Sequence, residues 1–363
     1  MKRWTPARLW LEQGEEDSPV ARCVRQSLPG VPVSVLGDPR AAEPAASEGF
    51  AAGKHDLVLQ RHRGSFLQHC PAGTPGLVCC NYFVADFATN CPFDCSYCFL
   101  QEYLANNPAM KVFTNPEDGL AEIAALLRAH PARHFRIGTG HLSDSLALDP
   151  ITGLSRILVP FFAEHRNAVL ELKTKSDCVD ELLRLDPRGR VVVSWSVNAP
   201  RVLAEEEPGT ASLSERLAAA RRVQEAGYRL GFHFDPLIEH PGWAAGYRDT
   251  VAQIAAAIEP RRIAWISLGS LRLTPGLRAA LRARPRRSLT LSGELVACAD
   301  GKARVWRGLR LEMYRRIQSY LRQALPGVET YLCMEAANVW QIVRGESPGD
   351  RQLAERLSAG ALQ

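Results

Sequence analysis

A chain of 363 residues, 46% hydrophobic and 23% charged, has the length for one large domain or two ordinary ones around a buried core. Its longest apolar runs fall far short of a membrane span, and Met1-Lys2-Arg3-Trp4 leads into Pro, Arg and Glu rather than an apolar stretch. No spanning segment or signal peptide is expected, which makes a cytoplasmic location the default. The net charge of +5 is mild, and ten cysteines in such a setting argue for thiols and metal ligation over a disulfide framework.

Residues 1–75 show weak periodicity with many Pro, Gly and Ala, and read as a small N-terminal extension. Within them 41–52 is a linker or loop of small residues, and 56–60 is a strand candidate too short for periodicity to settle. Cys70, Cys79 and Cys80 follow, and free cysteines commonly pack as small hydrophobes. From Leu77 the rhythm is regular. Strands are expected at 78–89, 134–138, 169–175, 191–197, 229–234 and 262–268. Helices are expected at 116–129, capped by Asn115 with Pro116 in its first turn, and at 154–164, 178–185, 214–226 closed by Gly227, 246–258, and from Pro275. Strands alternating with helices imply a parallel sheet, and six units fit a partial (β/α)6 barrel over 76–287 better than a closed eightfold one. In 288–363 the rhythm stops: 289–297 and 302–306 around Ala299-Asp300-Gly301 suggest a β-hairpin, and a basic amphipathic helix at 309–325 follows. Arg282, Arg284, Arg286, Arg287, Lys302, Arg304, Arg307, Arg310, Arg315, Arg316 and Arg322 crowd this end, as a phosphate-binding face or as the solvated side of helices.

The first strand runs into Asn90-Cys91-Pro92-Phe93-Asp94-Cys95-Ser96-Tyr97-Cys98-Phe99-Leu100. A closed zinc site usually takes four ligands in two pairs, and no second Cys/His pair of suitable spacing follows. Three thiolates from one loop, Cys91, Cys95 and Cys98, suit a [4Fe–4S] cluster whose fourth iron lacks a protein ligand and can bind a small molecule. The alternatives are three unrelated thiols, or a zinc site completed by a distant His. The Cys-x3-Cys-x2-Cys spacing with Tyr97 before the third cysteine resembles the radical S-adenosylmethionine (SAM) superfamily. That resemblance implies SAM chelated to the open iron and cleaved to a 5'-deoxyadenosyl radical.

In such a sheet, ligands sit at the carboxyl ends of the strands. The second strand ends Gly138-Thr139-Gly140-His141-Leu142-Ser143-Asp144, a ligand cradle or a plain βα turn. The third ends Lys173-Thr174-Lys175-Ser176, where a lysine can pair with a carboxylate or stay solvated. The fourth ends Ser194-Trp195-Ser196-Val197-Asn198, whose alternate polar residues share a face. In the fifth, His233 and Asp235 share a face as an acid/base pair or a satisfied buried pair.

The segments Asn90 to Leu104, Lys173 to Leu182, Ser196-Val197-Asn198, Glu207-Pro208-Gly209-Thr210 through Phe232, and Pro236 to Tyr247 with His240-Pro241-Gly242-Trp243 resemble the spore photoproduct lyase family, a likeness that runs from about Cys70 to the C-terminus. The resemblance implies repair of a thymine dimer in DNA by hydrogen abstraction, with a cysteine returning a hydrogen atom. It implies cluster ligation by Cys91, Cys95 and Cys98, and SAM contacts from Tyr97, Ser143, Lys175 and Ser196, with Asp235 among the cofactor-binding candidates. DNA would lie against the late hairpin and basic segment, and a reductant such as flavodoxin or ferredoxin would supply the electron. Two positions depart from the family: His141 stands where the hydrogen-donating cysteine is expected, and Phe99 replaces a relay tyrosine. An imidazole N–H is too strong a bond for hydrogen-atom donation, which turns attention to Cys333 in Tyr331-Leu332-Cys333-Met334-Glu335 as donor, or else as a core thiol on a terminal strand. Tyr97, His141 and Cys333 are therefore the catalytic candidates, and the chain is nearer the family's non-sporulation branch. The alternatives are another nucleic-acid or nucleotide substrate, or an Fe–S nucleic-acid-binding protein without catalysis.

Overall fold

The structure is a computed structural model that describes residues 3–42, 50–71, 73–284 and 288–362. Arg286 and Arg287 of the basic stretch, and 43–49 of the expected linker, lie outside the described residues.

The larger sheet has eight strands in the spatial order Thr330–Leu332, Ile263–Ser270, Arg229–Leu237, Val191–Ser196, Ala168–Thr174, Phe135–Gly138, Phe83–Ala85, Leu67–His69. All neighbours run parallel except the last pair. The sheet curls into a half-barrel and bears out the expected partial barrel. A seventh parallel strand, Thr330–Leu332, adds to the six read from sequence. Val191–Ser196 and Ile263–Ser270 are buried along their whole lengths, as strands covered on both faces should be. Helices such as Ser155–Ala163, Leu213–Glu225 and Trp243–Ala257 return the chain between strands.

The helix Pro116–Ala129 has the expected bounds with Asn115 at its N-cap position, but the Asn115 side chain makes no capping hydrogen bond. Its side chain accepts the His62 amide at 2.8 Å and donates to Asp118 at 2.7 Å, tying the helix to an earlier segment instead. The expected helix at 178–185 is reduced to the single turn Leu182–Arg184. There the Tyr228 hydroxyl takes the Leu182 carbonyl at 2.8 Å, and the Ser176 hydroxyl accepts the Cys178 amide at 3.3 Å, so side chains replace helical bonds.

The expected strand 78–89 is broken. Asn81 adopts φ 51°, a left-handed conformation that asparagine tolerates. Beyond it Phe83–Ala85 joins the half-barrel while Ala88–Thr89 pairs antiparallel with Met110–Phe113 in a second sheet. That five-stranded sheet has the order Val33–Leu36, Leu9–Glu12, Leu57–Gln60, Met110–Phe113, Ala88–Thr89. It combines three strands from the first 75 residues with two that flank the cysteine loop. The late hairpin is present as Leu295–Ala297 and Ala303–Val305, joined by Arg272–Leu273 into three strands. The basic helix follows as Arg307–Ala324. Among the described residues no helix is long and apolar enough to cross a membrane.

Candidate active site

The cysteine loop leaves Ala88–Thr89 and lies beside the carboxyl ends of the parallel strands. Cys95 is buried and Cys91 and Cys98 are partly so. Burial pushes all three thiols up, Cys95 to about 12, with the Lys175 ammonium opposing it. Among the described residues, no three His, Cys, Asp or Glu side chains converge closely enough to hold one metal ion. A single zinc needs such convergence, whereas the thiolates of a cuboidal cluster each take a separate iron.

Segment 206–208 grips this loop. The Ser96 amide donates to the Glu206 carbonyl at 2.9 Å, the Asp94 amide to the Pro208 carbonyl at 3.3 Å, and the Tyr97 hydroxyl to the Glu207 carboxylate. Glu207 is paired in turn with Arg216 at 2.7 Å, and both side chains are fully buried. Arg216 also donates to the Ser196 carbonyl at 2.7 Å, tying the fourth parallel strand to the loop. Lys175 sits with its ammonium 5.5 Å from the Tyr97 ring. Burial acts to lower its pKa, but negative charge at Cys95 and on the Glu207 carboxylate outweighs this and holds it above the ordinary lysine value. Burial and Glu207 together raise the Tyr97 phenol well above the usual range.

The turn after the second strand is shaped by Gly138, where an added Cβ would lie 1.6 Å from the Tyr82 hydroxyl. Asp144 then fixes its neighbours: it accepts the Leu146 and Ala147 amides at 3.0 and 2.8 Å, the Thr174 hydroxyl at 2.6 Å and the Lys175 amide at 2.7 Å. Its role is structural. Ser143 differs: its hydroxyl is buried with no hydrogen-bond partner among the described residues, an orphan of the kind a bound polar ligand satisfies. Tyr97, Ser143, Lys175 and Ser196 thus belong to elements tied to the cysteine loop or to each other through Asp144, Glu207 and Arg216. His141 joins this side through Phe99, whose ring stacks on the imidazole at 5.7 Å.

Asp235 and Cys333 form a separate group. Asp235 accepts from Arg272 at 2.6 Å, and the same guanidinium donates to the Cys333 carbonyl at 3.2 Å. Burial acts to raise the Asp235 pKa, but the Arg272 guanidinium first, then the Lys173 ammonium and a hydrogen bond from Cys333, hold it below the ordinary value. Burial, and then Asp235, push the Cys333 thiol well up. Cys333 is not within a strand: it follows Thr330–Leu332 directly, at the carboxyl end where ligands are expected. His233 is not paired with Asp235. Its Nε2 lies 2.7 Å from Glu171 and its Nδ1 2.6 Å from the Ser267 hydroxyl, inside the barrel. Burial first, then Lys173, keep the imidazole toward its neutral form.

Among the described residues the basic stretch divides into paired and exposed arginines. Arg304 is buried and paired with Asp300 at 2.6 Å, Arg310 reaches Glu335 at 3.2 Å, and Arg284 holds Asp94 at 2.5 Å. Arg282, Arg307, Arg315 and Arg322 are exposed. Sequence reading passed over Asp86, Glu171, Glu207 (quoted only within a resemblance block), Arg136, Arg216 and Arg272, because single charged residues carry no spacing signal.

A family model described as spore photoproduct lyase matches residues 78–275. The spore photoproduct lyase of Geobacillus sp. (strain Y412MC61) is 32% identical over 177 residues, 49% of this chain and 52% of that one. That of Bacillus subtilis (strain 168) is 31% identical over 176 residues, 48% and 52%. The matches thus span about half the length of these relatives. A solved spore photoproduct lyase complexed with dinucleoside spore photoproduct superposes with a TM-score of 0.80 at 24% identity, over 91% of this chain and 100% of that one. A doubly substituted form with bound AdoMet and dinucleoside spore photoproduct gives 0.79 at 23%, over 92% and 100%. At those identities the structural likeness speaks for the fold. The matched stretch carries the cysteine loop, the strand ends and the Glu207–Arg216 clamp, and by it the chain belongs to the spore photoproduct lyase family.

Proposed function

We propose that this chain is a radical SAM lyase that opens the carbon–carbon bridge of a thymine dimer, the spore photoproduct, in DNA. One observation carries the reading: a three-cysteine loop clamped at the carboxyl ends of a parallel half-barrel, beside a buried serine hydroxyl without a partner among the described residues and a lysine held as ammonium. The residues present suit the cofactors. Cys91, Cys95 and Cys98 would hold a [4Fe–4S] cluster, and Tyr97, Ser143, Lys175 and Ser196 would hold SAM, with Lys175 matched to its carboxylate. Once bound, the cluster and SAM supply a 5'-deoxyadenosyl radical that takes a hydrogen atom from the substrate.

The remaining work falls to the chain. Glu207 and Arg216 orient Tyr97. Cys333, kept as a protonated thiol by burial and by Asp235, retains the S–H bond that a hydrogen-atom donor needs. Asp235 would stand at the substrate or cofactor side of that thiol, locked by Arg272. Exposed Arg282, Arg307, Arg315 and Arg322, with Trp306 and Val296 exposed near the hairpin, would meet DNA phosphates and groove. All ten cysteines are free thiols, as suits a reducing cytoplasm that also holds flavodoxin- or ferredoxin-type reductants.

The test is anaerobic reconstitution, dithionite and SAM, with 5'-deoxyadenosine measured with and without DNA carrying spore photoproduct. Lesion-dependent thymine release, with deuterium from labelled substrate appearing in 5'-deoxyadenosine, is the expected result. Loss of clean product in Cys333→Ala would identify the donor. SAM cleavage without repair would point to another nucleic-acid or nucleotide substrate. No cleavage by a protein with an intact cluster would leave an Fe–S nucleic-acid-binding protein.

A further inference from the structure

Hydrogen donation by Cys333 leaves His141 without a task, yet its surroundings are built. Asp86 follows the strand Phe83–Ala85 and is 6% exposed. It accepts the Leu142 amide at 3.2 Å and the Gln68 side-chain amide at 3.1 Å, and its second oxygen lies 3.2 Å from His141 Nδ1. An ionised carboxylate only accepts, so in the neutral imidazole the proton belongs on Nδ1 and the lone pair on Nε2. Nε2 makes no hydrogen bond to any described residue. The Phe99 ring stacks on the imidazole at 5.7 Å and 24°, and the Tyr103 ring meets it edge-on at 6.3 Å. Both flanking rings are unusually open for large aromatics, Phe99 at 42% and Tyr103 at 60% exposure.

An exposed aromatic ledge receives a flat heterocycle whatever its identity, because every base has a π-face. An acceptor of fixed orientation at its edge adds discrimination, since it favours a ring that presents an N–H and leaves an unmatched lone pair when the ring does not. Thymine and its reduced derivatives present one such group, the imide N3–H. We propose that His141 Nε2 is a specificity-determining acceptor for the imide N–H of a pyrimidine base resting on Phe99 and Tyr103, with Asp86 as the positioning residue that fixes the tautomer. This rests on the lesion reading above and assigns His141 to recognition rather than to hydrogen-atom transfer.

The test uses the reconstituted, SAM-loaded full chain and anaerobic calorimetry with two probes, dinucleoside spore photoproduct and the same compound methylated at N3 of both bases. The wild type should bind the methylated probe roughly tenfold to a hundredfold more weakly. His141→Ala, which has room for the methyl group, should bind the two within about twofold, and Asp86→Asn should fall between. Nitrogen-15 spectra of ring-labelled histidine in the ligand-free protein should show one imidazole protonated at Nδ1 whose signals vanish in His141→Ala. Equal binding of both probes by the wild type, an unchanged ratio in His141→Ala, or a proton on Nε2 would each overturn this role alone. Failure of the wild type to bind either probe would overturn the lesion reading and this role with it.

Discussion

The buried pair Arg216–Glu207 sets the geometry of Tyr97, and its removal has a calculable cost. Both side chains are 0% exposed and their closest atoms are 2.7 Å apart. At about 4 Å between charge centres and an effective dielectric of about 20, the attraction is about 4 kcal/mol. Removing one partner from such a pair costs about 3–5 kcal/mol, because the other charge remains buried. The two halves are unequal. In Glu207→Gln the guanidinium keeps its contacts with the Ala211 carbonyl at 2.9 Å, the Ser196 carbonyl at 2.7 Å and the Thr210 hydroxyl at 2.7 Å. Arg216→Met strands all three acceptors as well as the carboxylate, adding about 1 kcal/mol for each. The expected losses are therefore about 3–5 kcal/mol for Glu207→Gln and about 6–8 kcal/mol for Arg216→Met, the latter comparable to the whole stability of many domains. The double variant Arg216→Met/Glu207→Gln should cost about 1–3 kcal/mol less than the sum. Urea unfolding followed by tryptophan fluorescence measures each through the shift in midpoint. Strict additivity, or a smaller loss for Arg216→Met than for Glu207→Gln, would refute the reasoning.

Asp235 has a depressed pKa in the folded chain through Arg272, so its contribution is present above the unfolded value of about 4 and lost as pH falls through the folded value. Asp235→Asn should flatten the acid limb of stability below about pH 4, as followed by thermal melting from pH 7 to pH 2. Gly269→Ala would set a methyl 2.5 Å from the Asp235 carboxylate. It should displace that group from Arg272 and lower product yield more than SAM cleavage, with equal effects on both counting against a role at the Cys333 end. Lys175→Gln keeps the stem but loses the charge, and should weaken SAM binding about tenfold or more in equilibrium dialysis while leaving iron content unchanged. Asn90→Ala should lower both stability, by about 2–4 kcal/mol, and cluster occupancy, since it combines left-handed strain with two lost hydrogen bonds. Asn90→Gly, which relieves the strain alone, should recover part of the loss, as iron and sulfide assays would show.

The half-barrel was legible because its strands are long apolar runs such as Val191–Ser196 and Ile263–Ser270, separated by amphipathic helices at the spacing a crossover needs. The second sheet was not. Leu9–Glu12 and Val33–Leu36 have four residues each, and become strands only by pairing with each other and with Leu57–Gln60. Four residues hold too little periodicity to separate strand from loop. The helix expected at 178–185 fails to form for a similar reason: its competitor is the hydroxyl of Tyr228, more than forty residues later. The cysteine ligand candidates were legible because three cluster within one loop. Glu207, Asp86 and Arg272 were not, because each acquires meaning from a partner that the fold supplies, Arg216, His141 and Asp235. The basic stretch shows the converse: its arginines look alike in sequence, and only pairing separates the buried Arg304 from the exposed Arg307.

The second sheet explains how so irregular a loop is held still. A loop that offers three thiolates must present them in one arrangement, yet residues 90–99 have almost no regular structure to fix it. The chain does not enter this loop from the half-barrel. It crosses first into the second sheet at Ala88–Thr89, and the next strand of that sheet, Met110–Phe113, receives the chain beyond the loop. Asn90, fully buried at φ 62°, closes the entrance by donating to the Pro108 carbonyl at 2.5 Å and accepting the Cys91 amide at 2.7 Å. Lys54 reaches over from the same layer to the Phe93 carbonyl and lies 3.5 Å from Asp94. Arg284 holds Asp94 from the other side, and segment 206–208 takes the amides between. Each of these anchors satisfies a backbone or charged group that a bare loop would leave to water. Three separate parts of the molecule therefore constrain the cysteines before any metal does. This irregular stretch sits where packing from both sheets converges, and that convergence holds its three cysteines in one arrangement.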